Sequence, residues 1–142
     1  MSPTATVRGV GVSVGEEGGE GTPVVMLDVA DHVVPIFVSE DQAESIRLAL
    51  DGRSFDRPLT HDLLVEMTAE FGAAIDRVYI DDLSEVTFYA KIETEQYRDG
   101  EPRKLSFDAR PSDAIAIALR LDVPIEVADD VVERAGRPPS SI

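Results

Sequence analysis

The run Ala114-Ile115-Ala116-Ile117-Ala118-Leu119 constrains this chain more than any other stretch. A helix built from it is apolar nearly all round and has no face to offer water, while its alanines let neighbouring elements approach closely. It therefore predicts a buried central helix with the remaining elements laid around it. The polar residues just before it, Asp108-Ala109-Arg110-Pro111-Ser112-Asp113, then lie at one end of that helix. Lys104 to Asp108 alternates as a strand does, and Arg110-Pro111 makes the turn. Ser112 is the expected helix N-cap, its hydroxyl accepting a first-turn backbone N–H. Asp113 falls where the helix dipole favours a carboxylate, and Arg120 falls where it favours a cation. A helix start of this kind can also receive a phosphate.

The rest of the chain supplies strands and amphipathic helices to surround this element. Thr4 to Val14 reads as a glycine-weakened strand, and Gly15 to Gly21 as a flexible acidic loop. Val24 to Val29 and Val33 to Val38 form a hairpin around Asp31-His32, with Pro35 putting the second strand at a sheet edge or a bulge. Ser39 to Gln42 has capping-box spacing, and Ala43, Ile46, Ala49 and Leu50 continue a helix that Gly52 ends. Arg53 to Leu59 is a connection. Thr60 caps a second helix with the stripe Leu63, Leu64, Met67 and Phe71, ended by Gly72. Arg77 to Ile80 is a short strand. Val86 to Glu93 alternates as a half-buried strand, and Tyr97 to Pro102 turns it into the strand leading to Asp108. Val123 to Val127 is a last strand, Ala128 to Ala135 a last short helix, and residues 136–142 a flexible tail. The fold class is α+β: one compact domain over residues 1–142, its core at about 4–135, with a mostly antiparallel twisted sheet packed against three to four helices.

Composition narrows the chemistry. The 142 residues include 43% apolar side chains, enough for one real core. No apolar run approaches the roughly 20 residues that span a bilayer, and Met1 is not followed by a secretory pattern. The expectation is a soluble, cytoplasmic protein without a membrane partner. The absence of cysteine removes disulfides and thiolate chemistry and, with only two histidines, makes structural zinc improbable. No organic cofactor is expected, and any metal is to be held by carboxylates, which suits magnesium or manganese. The balance of 28 acidic against 13 basic residues, a net charge of −15, with lysine only at Lys91 and Lys104, resembles proteins of salt-accumulating halophiles. At molar salt the Debye length is about 3 Å, so acidity argues only weakly against a nucleic-acid partner. It does remove the basic patch that usually announces one.

Two constellations share one design, an arginine and a proline followed by a hydroxyl and a first-turn acid: Arg57-Pro58-Leu59-Thr60-His61-Asp62 and Arg110-Pro111-Ser112-Asp113. On the residues alone each is more often an ordinary helix start than a site. The functional reading makes His61 a proton shuttle, since histidine alone titrates near neutrality unperturbed. Asp62, Asp108 and Asp113 are then candidates to hold a divalent ion, and Arg57 and Arg110 to grip phosphate bidentately. His32 reads as a solvated turn residue. Tyr79, Tyr89 and Tyr97 read as strand packing and a loop residue rather than a base-stacking platform. Asp81-Asp82 and Asp129-Asp130 read as surface pairs. No glycine-rich phosphate loop, HExxH, GxSxG or EF-hand pattern is present.

The run from Asp108 to Ala116, continuing to Arg120 and Val123-Pro124-Ile125, resembles the signature of the bifunctional nuclease domain family. Arg57 to Leu63 matches its second motif, and Val34 to Val38 with the Glu44-Ser45-Ile46 helix is similar to the family's opening. The resemblance covers about Val7 to Ala135. It implies an α+β domain, often self-associating, found in bacteria, archaea and plants, whose plant members act on both RNA and DNA. With the acidic composition, it implies a halophilic archaeal member. The shared polar positions are Arg57, His61, Asp62, Asp108, Arg110, Ser112, Asp113 and Arg120. The resulting expectation is a broad-specificity nuclease in which His61, Asp62, Asp108 and Asp113 are catalytic, Asp108 and Asp113 bind the metal, and Arg57, Arg110, Ser112 and Arg120 hold the substrate. The competing expectation is a non-catalytic, homo-oligomeric module that binds an anion or a partner's carboxylates. In a third, Arg110 and Asp113 pair across subunits.

Overall fold

The computed structural model describes residues 2–13, 21–53 and 56–139. Most of the acidic glycine loop, Ser54-Phe55 in the connection and the last three tail residues lie outside these described residues. Within them the chain forms seven strands and four helices, in the order β1 (Thr4–Ser13), β2 (Thr22–Val29), β3 (His32–Phe37), α1 (Glu40–Leu50), α2 (Thr60–Glu70), β4 (Ala73–Ser84), β5 (Thr87–Arg98), β6 (Glu101–Ala109), α3 (Pro111–Leu121), β7 (Ile125–Val127) and α4 (Asp129–Ala135). The architecture is the expected α+β domain.

The strands form one mixed sheet in the order β3-β2-β1-β7-β4-β5-β6. Three-stranded meanders stand at each side, and the three-residue β7 joins them, antiparallel to β1 and parallel to β4. That is the one parallel pair among the described strands. Pro35 sits on β3, an edge strand, where a missing N–H is tolerated. The β2–β3 turn uses Ala30 and Asp31 at φ 47° and 63°, and the β5–β6 turn uses Asp99 and Gly100 at 53° and 81°, the left-handed pairs that two-residue hairpins need. His32 follows the first turn, exposed, with its Nδ1 2.8 Å from the carbonyl of Ala30.

The strand expected at Arg77–Ile80 is longer, Ala73–Ser84. Its register against β5 shifts at Asp76 and again at Asp81, so two bulges break the alternation that would have revealed its full length. The second bulge turns Asp81 inward. Its Oδ2 lies 3.4 Å from Lys91 and its Oδ1 is buried, so the Asp81-Asp82 pair is only partly a surface feature.

The small-residue helix α3 is the buried centre: Ala114, Ile115, Ala116, Ile117 and Ala118 are all essentially inaccessible. Each buried isoleucine contributes about 1.5–3 kcal/mol relative to exposure. Helix α3 packs on α1, α2, β4 and β5, while α1 also covers β1 and β2 and α4 touches both β4 and β3. Ser39 and Gln42 form the expected capping box at α1, with Ser39 N–H donating to Gln42 Oε1 at 2.8 Å and Gln42 N–H donating to Ser39 Oγ at 3.3 Å.

Two expected caps are displaced. The N-cap of α3 is Arg110, with Pro111 at the first helical position, so Ser112 lies inside the helix and is buried. The N-cap of α2 is Leu59, and Asp62 Oδ2 accepts its backbone N–H at 3.0 Å in place of a Thr60 cap. At the other terminus, the start of the expected tail is held in place. Arg137 exchanges two 2.8 Å backbone hydrogen bonds with Val33 on the outer edge of β3.

Candidate functional site

Helices α1, α2 and α3 converge on a chain of polar contacts. Asp113, in the first turn of α3, accepts from Arg110 Nε at 2.8 Å through Oδ2 and from Arg110 Nη2 at 3.3 Å through Oδ1. The same Oδ1 lies 2.8 Å from His61 Nε2, contributed by α2. His61 Nδ1 lies 2.6 Å from Ser45 Oγ, contributed by α1. Arg120, about two turns further along the same face of α3, donates from Nη2 to Ser45 Oγ at 3.1 Å and from Nε to Asp62 Oδ1 at 2.6 Å. It also donates to the backbone carbonyls of Ala116 at 2.9 Å and Ser45 at 3.3 Å. The network runs unbroken from Arg110 through Asp113, His61, Ser45 and Arg120 to Asp62 and the Leu59 N–H.

The two arginines stand in different media. The Arg120 side chain is only 9% exposed, and its Nε, Nη1 and Nη2 each donate to protein, whereas that of Arg110 is 69% exposed. Burial alone would raise the Asp62 carboxyl, but Arg120, the Leu59 N–H and His61 outweigh it and hold it below its ordinary value of 3.8. Burial likewise opposes ionisation of Asp113, and Arg110 and His61 overcome it, again to below 3.8. Both carboxylates are therefore anions at neutral pH. Clefts flank the network on two sides. One of about 290 Å³ is lined by Gln42, Phe88, Arg110 and Ser112, and one of about 540 Å³ by Arg53, Pro58, Asp62, Glu66 and Arg120.

Of the expected site residues, the structure thus joins His61, Asp62, Asp113, Arg110 and Arg120, and sets Ser112 beside Arg110 in a cleft wall. It does not draw in two others. Asp108 is 78% exposed on β6, its carboxylate 3.4 Å from Lys91, and Arg57 is exposed on the approach to α2. The Arg110–Asp113 pair closes within one chain, so it does not need a second subunit. Among the described residues no group of three or more histidine, aspartate or glutamate side chains is placed to hold a metal ion. Asp113, the central carboxylate, already has both oxygens on cationic or N–H donors. This donor set does not fit a resident magnesium or manganese ion. Ser45 is the member of the network that sequence reasoning left without a role. Its signals are its place on the helix that must cover α3 and in the Glu44-Ser45-Ile46 stretch that resembles the family's opening.

Comparison with known proteins follows the same residues. The family model described as the bifunctional nuclease domain matches residues 24–140, which takes in all three network helices. An uncharacterised protein of Mycobacterium tuberculosis is 40% identical over 92% of this chain and 75% of its own length. A protein of Oryza sativa named bifunctional nuclease 1 is 33% identical over 72% of this chain, and one of Arabidopsis thaliana with the same name is 28% identical over 74%. The chain spans about a third of the length of these plant relatives.

Proposed function

The chain belongs to the bifunctional nuclease domain family, and on that premise we propose that it hydrolyses phosphodiester bonds in DNA, RNA or both. The observation that carries the reading is the line Asp113–His61–Ser45 lying beside the exposed Arg110. It couples a group able to move a proton to a guanidinium able to bind phosphate, and that guanidinium lines a cleft. Arg110 meets the phosphate and neutralises charge that grows in the transition state, with Ser112 shaping the wall beside it. His61 moves the proton, Asp113 fixes the ring, and Arg120 with Asp62 holds the far end of the line. Arg57 extends the phosphate-binding surface toward the start of α2. Asp108, outside the network, has no step in this scheme, and no step runs through a metal.

Cleavage of labelled single- and double-stranded DNA and RNA in magnesium, manganese or EDTA tests the reading. The expected outcome is cleavage that survives EDTA and is lost in a folded Asp113→Asn variant purified identically. Equal nucleic-acid binding with no turnover would instead favour the anion-binding module, and EDTA-sensitive cleavage would restore a catalytic ion. We propose further that the −15 charge suits a cytoplasm rich in salt. Cleavage should then rise with potassium chloride as repulsion between protein and substrate is screened. No helix among the described residues is long and apolar enough to cross a membrane.

Self-association is the remaining part of the proposal, and a specific surface favours it. Leu63, Leu64 and Met67 on α2 and Phe71 at its C-terminal cap are all exposed. They continue into an apolar groove of about 480 Å³ lined by Leu64, Phe71, Ile75, Leu105 and Phe107. Contiguous apolar surface of this kind marks an interaction site, and a second copy of the chain is the occupant we propose.

A further inference from the structure

We propose that Ser45 is a nucleophile, activated by His61 and Asp113, and that cleavage passes through a phosphoryl-serine ester. The inference rests on the nuclease reading for its substrate but on separate geometry for its chemistry. A guanidinium has donors only, so the 3.1 Å contact from Arg120 Nη2 makes Ser45 Oγ an acceptor. Asp113 Oδ1 can only accept, so the ring carries an N–H on Nε2, 2.8 Å from it. In the neutral imidazole Nδ1 then keeps its lone pair, and the Ser45 hydroxyl donates to it along the 2.6 Å contact.

This order is that of a base-assisted serine, with the carboxylate behind the imidazole and the imidazole behind the hydroxyl, although here Nδ1 rather than Nε2 faces the serine. Three helices could be tied together without it. Two features go beyond a tie: the hydroxyl faces the one ring nitrogen not engaged by the carboxylate, and a buried guanidinium lies on Oγ, where it stabilises an alkoxide. Because Asp113 occupies Nε2, Nδ1 is the ring nitrogen left to exchange a proton, and it is the one that Ser45 faces.

In the first step the Oγ–P bond forms as the Oγ proton passes to Nδ1. The bond from phosphorus to the leaving nucleoside oxygen breaks, and that oxygen takes the proton from Nδ1. One part of the strand departs as an alcohol and the other stays esterified to Ser45. In the second step water gives a proton to Nδ1 and its oxygen bonds to phosphorus. Ser45 Oγ then leaves and recovers the proton. No oxidant, reductant or further co-reactant is needed.

A fluorophosphonate probe tests the nucleophile without nucleic acid, since attack by Oγ releases fluoride and leaves a phosphonyl adduct that peptide mass mapping locates. The expected result is one adduct on Ser45, absent in Ser45→Ala and formed about a hundredfold more slowly in a folded His61→Gln variant. Because the chain has no cysteine, Ser45→Cys adds a second readout in a single thiol. Its alkylation by iodoacetamide should slow when His61→Gln is added. Absence of the adduct from Ser45 in the parent protein, or strand cleavage persisting within about threefold in folded Ser45→Ala, overturns the proposal and leaves the nuclease reading standing. An adduct on Ser45 with no cleavage of any nucleic acid supports the nucleophile and overturns the nuclease reading instead.

Discussion

Helices α2 and α3 are equal in length, eleven residues each, and begin alike, with a backbone N-cap one residue before the helix and an aspartate in the first turn. Their attachments to the protein are opposite. Helix α3 is held by apolar burial, with six of its residues out of reach of solvent. Helix α2 buries no residue, and its apolar stripe faces outward, with Phe71 69% exposed. Apart from Val65, which packs half-buried against the core, what fixes α2 is polar: His61 to Asp113 and Ser45, and Asp62 to Arg120. The difference teaches that the site's precision and α2's attachment are one property. The contacts that would perform the chemistry are the contacts that hold the helix down.

The comparison makes graded predictions. Ile115→Ala should cost the most, about 3–4 kcal/mol, because it opens a cavity in the helix on which α1, α2, β4 and β5 pack. Chemical denaturation should show the loss as a lowered midpoint for the whole domain. Arg120→Ala should cost roughly 2–3 kcal/mol, less than a fully buried pair because Asp62 is partly solvated. Its signature is different: hydrogen exchange should quicken in α2 well before the amides of α3. Uniform quickening would mean that α2 has no separate attachment.

Acid should act on the same helix more gently. Asp62 and Asp113 have folded-state values below the ordinary 3.8. Their contribution is therefore complete above that pH and is lost as pH falls through the lower folded values. Thermal melts should fall between pH 4 and pH 2 by a smaller margin in Asp113→Asn than in the parent. Smallest of all, Met67→Glu should change monomer stability by no more than about 0.5 kcal/mol, since that side chain is nearly half exposed. Sedimentation should nonetheless show dissociation if α2 is the surface of self-association. An unchanged mass would take α2 out of the interface.

How much of this was legible depended on range. Helix α3 could be read because its own composition leaves it one place to go, and α1 because Ser39 and Gln42 satisfy each other locally. The full extent of β4 could not, because bulges at Asp76 and Asp81 interrupt the period that reveals a strand. Hydroxyls at Thr60 and Ser112 looked like caps, yet Leu59 and Arg110 hold those positions, since Asp62 supplies one acceptor and Pro111 needs none. Among the site residues, each aspartate and its neighbouring arginine or histidine could be named from spacing. That His61 faces Asp113 and Arg120 faces Asp62 is a tertiary fact, 52 and 58 residues apart in sequence. Ser45 stood in a matching stretch with no chemistry to mark it, and Asp108, the first residue of the motif, points instead along the β5–β6 ladder to Lys91.

The position of β7 has a consequence for the birth of the molecule. Its three residues pair Glu126 with Thr4 on one side and with Tyr79 on the other. A growing chain can assemble each meander by itself, but the two have no seam until nearly the last strand is made. Joining them is a contact between the opposite ends of the polypeptide, the slowest kind to find. The half-made protein thus waits with two open sheet edges facing each other across a gap that only residues 125–127 can fill. A ribosome that stalls before them should yield a chain whose two meanders lack the strand that joins them into one sheet.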